Sequence, residues 1–265
     1  MDELYNQFCI TGVTATVLHM MGLPVPAETE VPIAPITEKW KNKTADRAFL
    51  YNPDAVALWL YQKYTNLFTP VIANTQTALP LLSVMPSVTP VCFASMYTGL
   101  LPVQHGIRKY EKPVLQVKTL FDYLIANGKR PAIVSTSNDS ISRIFLEREM
   151  DYFIYDSIEE VNEKAMQLIQ EDNYDVIVVY NGNFDSRMHK TGPESEDALR
   201  ELADNAARFA QFADAIKQHW PQHNTFCGFM PDHGCHAIDG DCGSHGLDMA
   251  EDMNIVHFYG FNEKQ

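Results

Sequence analysis

Short apolar runs alternate with amphipathic stretches from about residue 46 onward. RAFLYNP (47–53), RPAIVSTS (130–137), YDVIVVYNG (174–182), NTFCGFMPDHG (224–234) and NIVHFYGF (254–261) are rich in β-branched and aromatic residues and read as strands. Between them, DAVALWLYQKY (54–64), TLFDYLIANG (119–128, ended by Gly128) and SIEEVNEKAMQLIQED (157–172) read as helices. EDALRELADNAARFAQFADAIKQHW (196–220) is a long amphipathic helix with apolar positions three and four residues apart. Strands that are nearly continuously apolar, alternating with helices, predict an α/β fold: a mostly parallel central sheet with helices on both faces. The proline-containing segment 24–46 reads as an extended connection. No repeat or linker divides the chain, so residues 1–265 are expected to form one domain.

Composition narrows the function classes. A net charge of -14 argues against binding to nucleic acid or to anionic membranes, both of which need a basic face. No apolar run reaches the roughly 18 residues that a membrane helix requires. The stretch MDELYNQFCITG lacks the basic start and apolar run of a secretory signal. Five scattered cysteines read as reduced thiols, and C-x6-C between Cys235 and Cys242 is not a common structural-zinc spacing. A cytoplasmic location is the expectation.

The chemistry concentrates in PDHGCHAIDGDCGSHG (231–246), which holds three of the chain's nine histidines with three aspartates. In parallel sheets, sites gather beyond the C-terminal ends of strands. Asp54 follows the first strand, Asp185 and His189 follow YDVIVVYNG, and Asp232 and His233 follow TFCGFM. Asp and neutral His suit Zn²⁺, Mn²⁺ or Fe. Two sets suggest themselves: Asp185 with His189 and His245, and Asp54 with Asp232 and His233. Each residue also has a structural reading. Asp54 or Thr89 alone would be a helix N-cap. His223 and His236 read as solvated loop residues, His257 as a packed strand residue, and His105 as a structural hydrogen-bonder near the site.

The order of these motifs resembles the alkaline phosphatase superfamily, closest to its type I phosphodiesterase/nucleotide pyrophosphatase branch. Thr89 stands nine residues before Thr98-Gly99, and LLPVQHGI follows. Then come Asp185-x3-His189 with Gly192-Pro193, the PDHG of Asp232 and His233, and Gly243-Ser244-His245-Gly246. The resemblance implies a hydrolase of phosphoric esters with two divalent cations, Zn²⁺ foremost and Mn²⁺ second, held by those two sets. Thr89 would be the nucleophile, passing through a phosphothreonine that water then hydrolyses. Two divalent ions bring +4 against -3 from three aspartates, so the pocket stays positive in an acidic chain. The implied partner is a small phosphate ester, nucleotide-like in this branch, with no nucleic acid and no membrane.

Three departures from the pattern matter. The branch places a phosphate-binding Asn where this chain has Tyr110, which leaves the phosphate-binding residues unassigned. The branch writes D-G where this chain has Asp54-Ala55. Only eleven residues separate His233 from His245, so no large cap domain fits there. In addition, TGVTATVLHMMGLPVPAE (11–28) resembles a segment that normally follows the last metal histidine. Its position before the first strand suggests circular permutation, with 11–28 packed where a C-terminal helix would lie. A sulfatase is disfavoured because Thr89-Pro90-Val91-Cys92-Phe93 lacks both the modified residue and the Arg of those enzymes. A phosphomonoesterase and an inactive metal-binding homologue remain as alternatives.

Overall fold

The computed structural model describes residues 5–265; the first four residues of MDELYNQFCITG, part of the stretch read above for a signal, lie outside the described residues. Seven strands form one sheet: β1 (Arg47–Pro53), β2 (Thr77–Leu82), β3 (Pro131–Thr136), β4 (Asp151–Tyr155), β5 (Val176–Asn181), β6 (Thr225–Phe229) and β9 (Asn254–Asn262). A separate two-stranded hairpin comprises β7 (His236–Ile238) and β8 (Cys242–Ser244). The sheet order is β2-β9-β6-β1-β5-β3-β4, and β9 alone runs against the others. The mostly parallel α/β sheet expected from the sequence is therefore the fold observed.

The central strands are buried on both faces, which is why they read as continuous apolar runs. Alternate residues feed two cores. Leu50, Val178 and Phe226 face one, with the helices Gly12–Met20, Thr89–Thr98 and Leu120–Ala126; Phe49, Ile177 and Cys227 face the other, with Ile158–Glu171 and Glu196–His219. Helix starts follow their caps. Ser157 and Glu160 form a capping box, and the Ser195 hydroxyl accepts from the Ala198 N–H.

Two boundaries differ from the sequence reading. The helix expected from Asp54 begins at Leu58, because the Asp54 N–H is still bonded to Asn181 O (3.0 Å) and Ala55 turns to φ +64°. The 24–46 segment is not simply extended: it contains the helix Ala34–Lys39 and buries Ile33, Ile36 and Trp40. The Gly12–Met20 helix lies in the same core cluster as Tyr259 and Phe261 of β9. The chain enters that helix alongside Leu82 of β2, with the Asn6 N–H donating to Asn254 Oδ1 at 3.0 Å. That helix and the last strand thus contribute to one core.

Candidate active site

Thr89 is the first residue of the Thr89–Thr98 helix, which Val88 precedes as N-cap and Gly99 ends in the left-handed region at φ +72°. Its hydroxyl makes no capping bond. Instead Oγ1 lies 3.3 Å from Asp54 Oδ2 and 3.3 Å from His233 Nε2, in a buried position. The structural reading of Thr89 as a cap is therefore not what the hydroxyl does. Asp54 is likewise not an N-cap, since Ala57 occupies that place for the next helix.

The six histidine and aspartate candidates converge from four strand ends. Asp54 leaves β1, Asp185 and His189 sit one turn apart on the Asn183–Thr191 helix after β5, Asp232 and His233 follow β6, and His245 follows the β7–β8 hairpin. They fall into two groups whose donor atoms lie within 4.8 Å of one another: Asp185, His189 and His245, and Asp54, Asp232 and His233. The His233 and His245 rings stack at 4.1 Å between centroids and join the two groups.

The imidazoles are oriented alike. Nδ1 of His189 lies 2.9 Å from Gly243 O, Nδ1 of His233 lies 2.9 Å from Gly234 O, and Nδ1 of His245 lies 3.0 Å from Ser87 O. A carbonyl only accepts, so each Nδ1 carries the proton and each Nε2 turns a lone pair inward. Those lone pairs meet further acceptors: His189 Nε2 is 3.1 Å from His245 Nε2, and both are 3.2–3.3 Å from Asp185 Oδ1. His233 Nε2 is 3.3 Å from Asp54 Oδ1 and 3.4 Å from Asp232 Oδ2. Asp54 Oδ1, Asp185 Oδ1 and Asp232 Oδ2 are buried without a hydrogen-bond partner. Acceptor facing acceptor at such distances is repulsive unless a cation stands between them. The donor set fits divalent metal ions of the Zn²⁺ or Mn²⁺ type.

The titration of these groups is divided: the carboxyls of Asp54 and Asp232 resist ionisation, while Asp185 and its imidazoles favour their charged forms. Burial pushes Asp54 up to about 7, and the negative charge of Asp185 adds to that. Asp232 is also raised, by burial and then by Asp54. Burial likewise opposes ionisation of Asp185, but contacts with His189 and His245 outweigh it and hold that carboxyl low. His233 is pushed down by burial, whereas His189 is raised by its contact with Asp185.

Tyr180, at the end of β5, was not singled out from sequence. Its buried hydroxyl donates to Asp54 Oδ2. A Cβ at Gly182 would meet the Tyr180 hydroxyl at 2.7 Å and the ring at 3.1 Å, so that glycine leaves room for it. A cleft of about 270 Å³ opens beside Thr89, Asp54 and Asp185, and Tyr110, Lys112 and Asn138 line its outer part.

The other candidates lie elsewhere. His257 is buried in β9, with Nε2 2.7 Å from Pro231 O and Nδ1 2.8 Å from Tyr259 Oη. His105 bonds Ser95 Oγ at 2.9 Å. His236 and His223 are not free loop residues, since they contact Asp252 (2.7 Å) and Asp172 (2.8 Å) respectively. All five cysteines are unpaired thiols, and neither Cys235 nor Cys242 joins either donor group.

Neither a protein-family model nor a curated protein sequence matches this chain. Solved structures do. An inactive threonine-to-alanine variant of murine ectonucleotide pyrophosphatase/phosphodiesterase 5, in complex with AMP, aligns at TM-score 0.65 and 12% identity over 81% of this chain and 88% of its own. The periplasmic domain of the phosphoethanolamine transferase EptC from Campylobacter jejuni aligns at TM-score 0.59 and 14% identity, over 82% and 80%. Phosphonoacetate hydrolase from Sinorhizobium meliloti 1021, with phosphonoformate, aligns at TM-score 0.54 and 15% identity, over 74% and 59%. The chain has the alkaline phosphatase-like fold.

Proposed function

We propose that this protein is a metal-dependent phosphoester hydrolase of the phosphodiesterase/nucleotide pyrophosphatase type, with Thr89 as its nucleophile. The observation that carries the reading is the convergence of three Nε2 lone pairs and three unpartnered carboxylate oxygens beside a hydroxyl that opens a helix. Bound divalent cations, Zn²⁺ first and Mn²⁺ second, would supply Lewis acidity toward a phosphoryl oxygen and favour the Thr89 alkoxide. Asp54, Asp232 and His233 would hold the ion nearer Thr89; Asp185, His189 and His245 would hold the other.

The chain's own groups do the rest. The Thr89 hydroxyl faces Asp54 Oδ2 and His233 Nε2, so it is oriented with its oxygen at the cleft. Its place at a ten-residue helix's N-terminus puts the positive end of the helix toward a phosphate anion. Attack forms the Thr89 Oγ1–phosphorus bond and releases the ester oxygen. Water then cleaves the phosphothreonine and restores the hydroxyl. The AMP in the murine neighbour supports a nucleotide-like substrate.

Residues 1–265 are read as a single catalytic domain in permuted order. A cytoplasmic location fits the reduced thiols; no helix among the described residues is long and apolar enough to cross a membrane.

The test is zinc-supplemented hydrolysis of bis-p-nitrophenyl phosphate beside p-nitrophenyl phosphate, with Thr89→Ala as control. Faster cleavage of the diester, lost by several orders of magnitude in Thr89→Ala, is the expected result. Preference for the monoester would make the protein a phosphatase on the same site. Metal binding without turnover of either ester would point to an inactive homologue.

A further inference from the structure

The helices Ile158–Glu171 and Glu196–His219 pack on the same face of the sheet, and a second cavity, of about 330 Å³, is lined by both. Glu201, Asp204, Arg208 and Gln211 come from the longer helix; spaced three and four residues apart, they form one stripe along it. Glu159 and Asn162 come from the other helix, and Asn181 and Asn183 line the cavity at the end of β5.

Asn162 is the unusual member. It is 7% exposed and lies on a helix face whose other buried residues include Ile158, Val161 and Ala165. Its Oδ1 is buried with no hydrogen-bond partner. A bare amide oxygen in that position destabilises the fold, a cost that an apolar side chain of similar size would not carry. The neighbouring amide is satisfied: Asn181 Nδ2 donates to Tyr51 Oη at 3.0 Å, and its Oδ1 accepts from the Asn183 N–H at 3.0 Å. Asn162 lacks a donor, and the cavity it lines is where one can enter.

The rest of the lining favours a donor that is positively charged. Glu159, Glu201 and Asp204 set three carboxylates against the one guanidinium of Arg208, whose Nη1 donates to Gln211 Oε1 at 2.7 Å. Glu201 has a distant partner, Arg187, at 3.8 Å. The three carboxylates do not converge, and none of them belongs to either compact donor group of the described residues. A single metal ion needs several oxygens at about 2.0–2.6 Å, which this spread does not offer. It suits N–H donors spaced along a flexible chain.

We propose that the cavity binds a small organic polycation, an aliphatic di- or polyamine. Its ammonium groups donate to Asn162 Oδ1 and to the carboxylates of Glu159, Glu201 and Asp204, as charge-assisted hydrogen bonds. The site is separate from Thr89 and from both metal-donor groups, and the inference goes beyond the hydrolase reading without resting on it.

The experiment is calorimetric titration of the zinc-loaded, dialysed protein with spermidine, repeated with Asn162→Leu and with Asp204→Asn. Melting temperatures without amine report whether each variant is folded; Asp204 is exposed, so its substitution keeps the test open if Asn162→Leu does not fold. The expected result is one saturable spermidine site whose affinity falls about tenfold in each folded variant, the loss of one hydrogen bond to a charged group. n-Butylamine, with a single ammonium, should bind more weakly, and magnesium chloride at matched ionic strength should not displace spermidine. Absence of saturable binding overturns the proposal. So does an affinity that both variants leave unchanged, which would place the amine elsewhere on this acidic chain, or displacement by magnesium, which would make the cavity a plain cation site. None of these readings involves turnover, so they stand apart from Thr89-dependent cleavage.

Discussion

Tyr180 and Asp54 share a buried hydrogen bond in which the phenol donates to Oδ2, the same oxygen that lies 3.3 Å from the Thr89 hydroxyl. Oδ2 is thus turned to the protein and Oδ1 is left bare for the donor group with Asp232 and His233. Tyr180 is a positioning residue: it acts through Asp54. Tyr180→Phe keeps the ring and its edge contact with Phe93 (5.7 Å) but removes the donor. Outer partners of metal ligands typically contribute 10–100-fold in affinity, so a loss of about that size is expected for one of two zinc ions. Competition with a chromophoric chelator measures it. Unchanged affinity at both sites would show that Asp54 needs no such support.

Three bare carboxylate oxygens and three inward lone pairs within two small groups make the site a source of instability that cations relieve. Zinc should therefore stabilise the fold by mass action. At a free concentration about 100-fold above Kd, one site contributes about 2.7 kcal/mol. For a chain of this length that corresponds to a rise of about 5–10 °C in Tm. Differential scanning calorimetry with zinc, with manganese and after chelation checks it. A Tm indifferent to both metals would mean that the donor groups hold neither.

The strands most readily seen in the sequence were those buried on both faces, such as Val176–Asn181, because their apolar runs are unbroken. The edge strand Thr77–Leu82 escaped because only alternate residues are covered and Pro80 interrupts the pattern. The three-residue strands His236–Ile238 and Cys242–Ser244 are too short and polar to show any period. At the site, Asp and His were visible through their chemistry and their place after strands. Tyr180 was hidden because it also completes an apolar strand, and Lys112 because a loop lysine has no pattern to stand against. The Asp54-Ala55 departure resolves in the backbone: Ala55 takes φ +64°, a conformation a glycine adopts without strain.

His257 offers a pH test away from the donor groups. Its Nε2–H donates to Pro231 O, Nδ1 accepts from the Tyr259 hydroxyl, and burial pushes its pKa down to about 3. Unfolded, the ring titrates near 6.5. Between those values the unfolded chain holds the extra proton, so the residue's stabilising contribution is complete above about 6.5 and drains away as pH falls toward 3. His257→Gln keeps a neutral donor at every pH. Urea unfolding at matched metal content should show wild type losing stability relative to His257→Gln between pH 7 and pH 4. Parallel curves would mean that the ring is protonated without cost.

Gly243 couples the hairpin to the second donor group. Its carbonyl accepts from His189 Nδ1 at 2.9 Å, and a Cβ there would meet Met188 Sδ at 2.5 Å and Met188 O at 2.8 Å. The sulfur can swing aside, but the backbone oxygen cannot. Gly243→Ala must therefore lift the hairpin from the Asn183–Thr191 helix, moving His245 away from Asp185 and His189 two residues after the substitution. Asp54, Asp232 and His233 are held by the sheet and Tyr180 and do not depend on that contact. The expected outcome is a drop from two tightly bound zinc ions to one, read by elemental analysis after dialysis, with Tm in chelator lowered only modestly. Loss of both ions would show that the stacked His233 and His245 rings bind the two groups into a single unit; retention of both would show that the hairpin has slack the backbone contacts do not reveal.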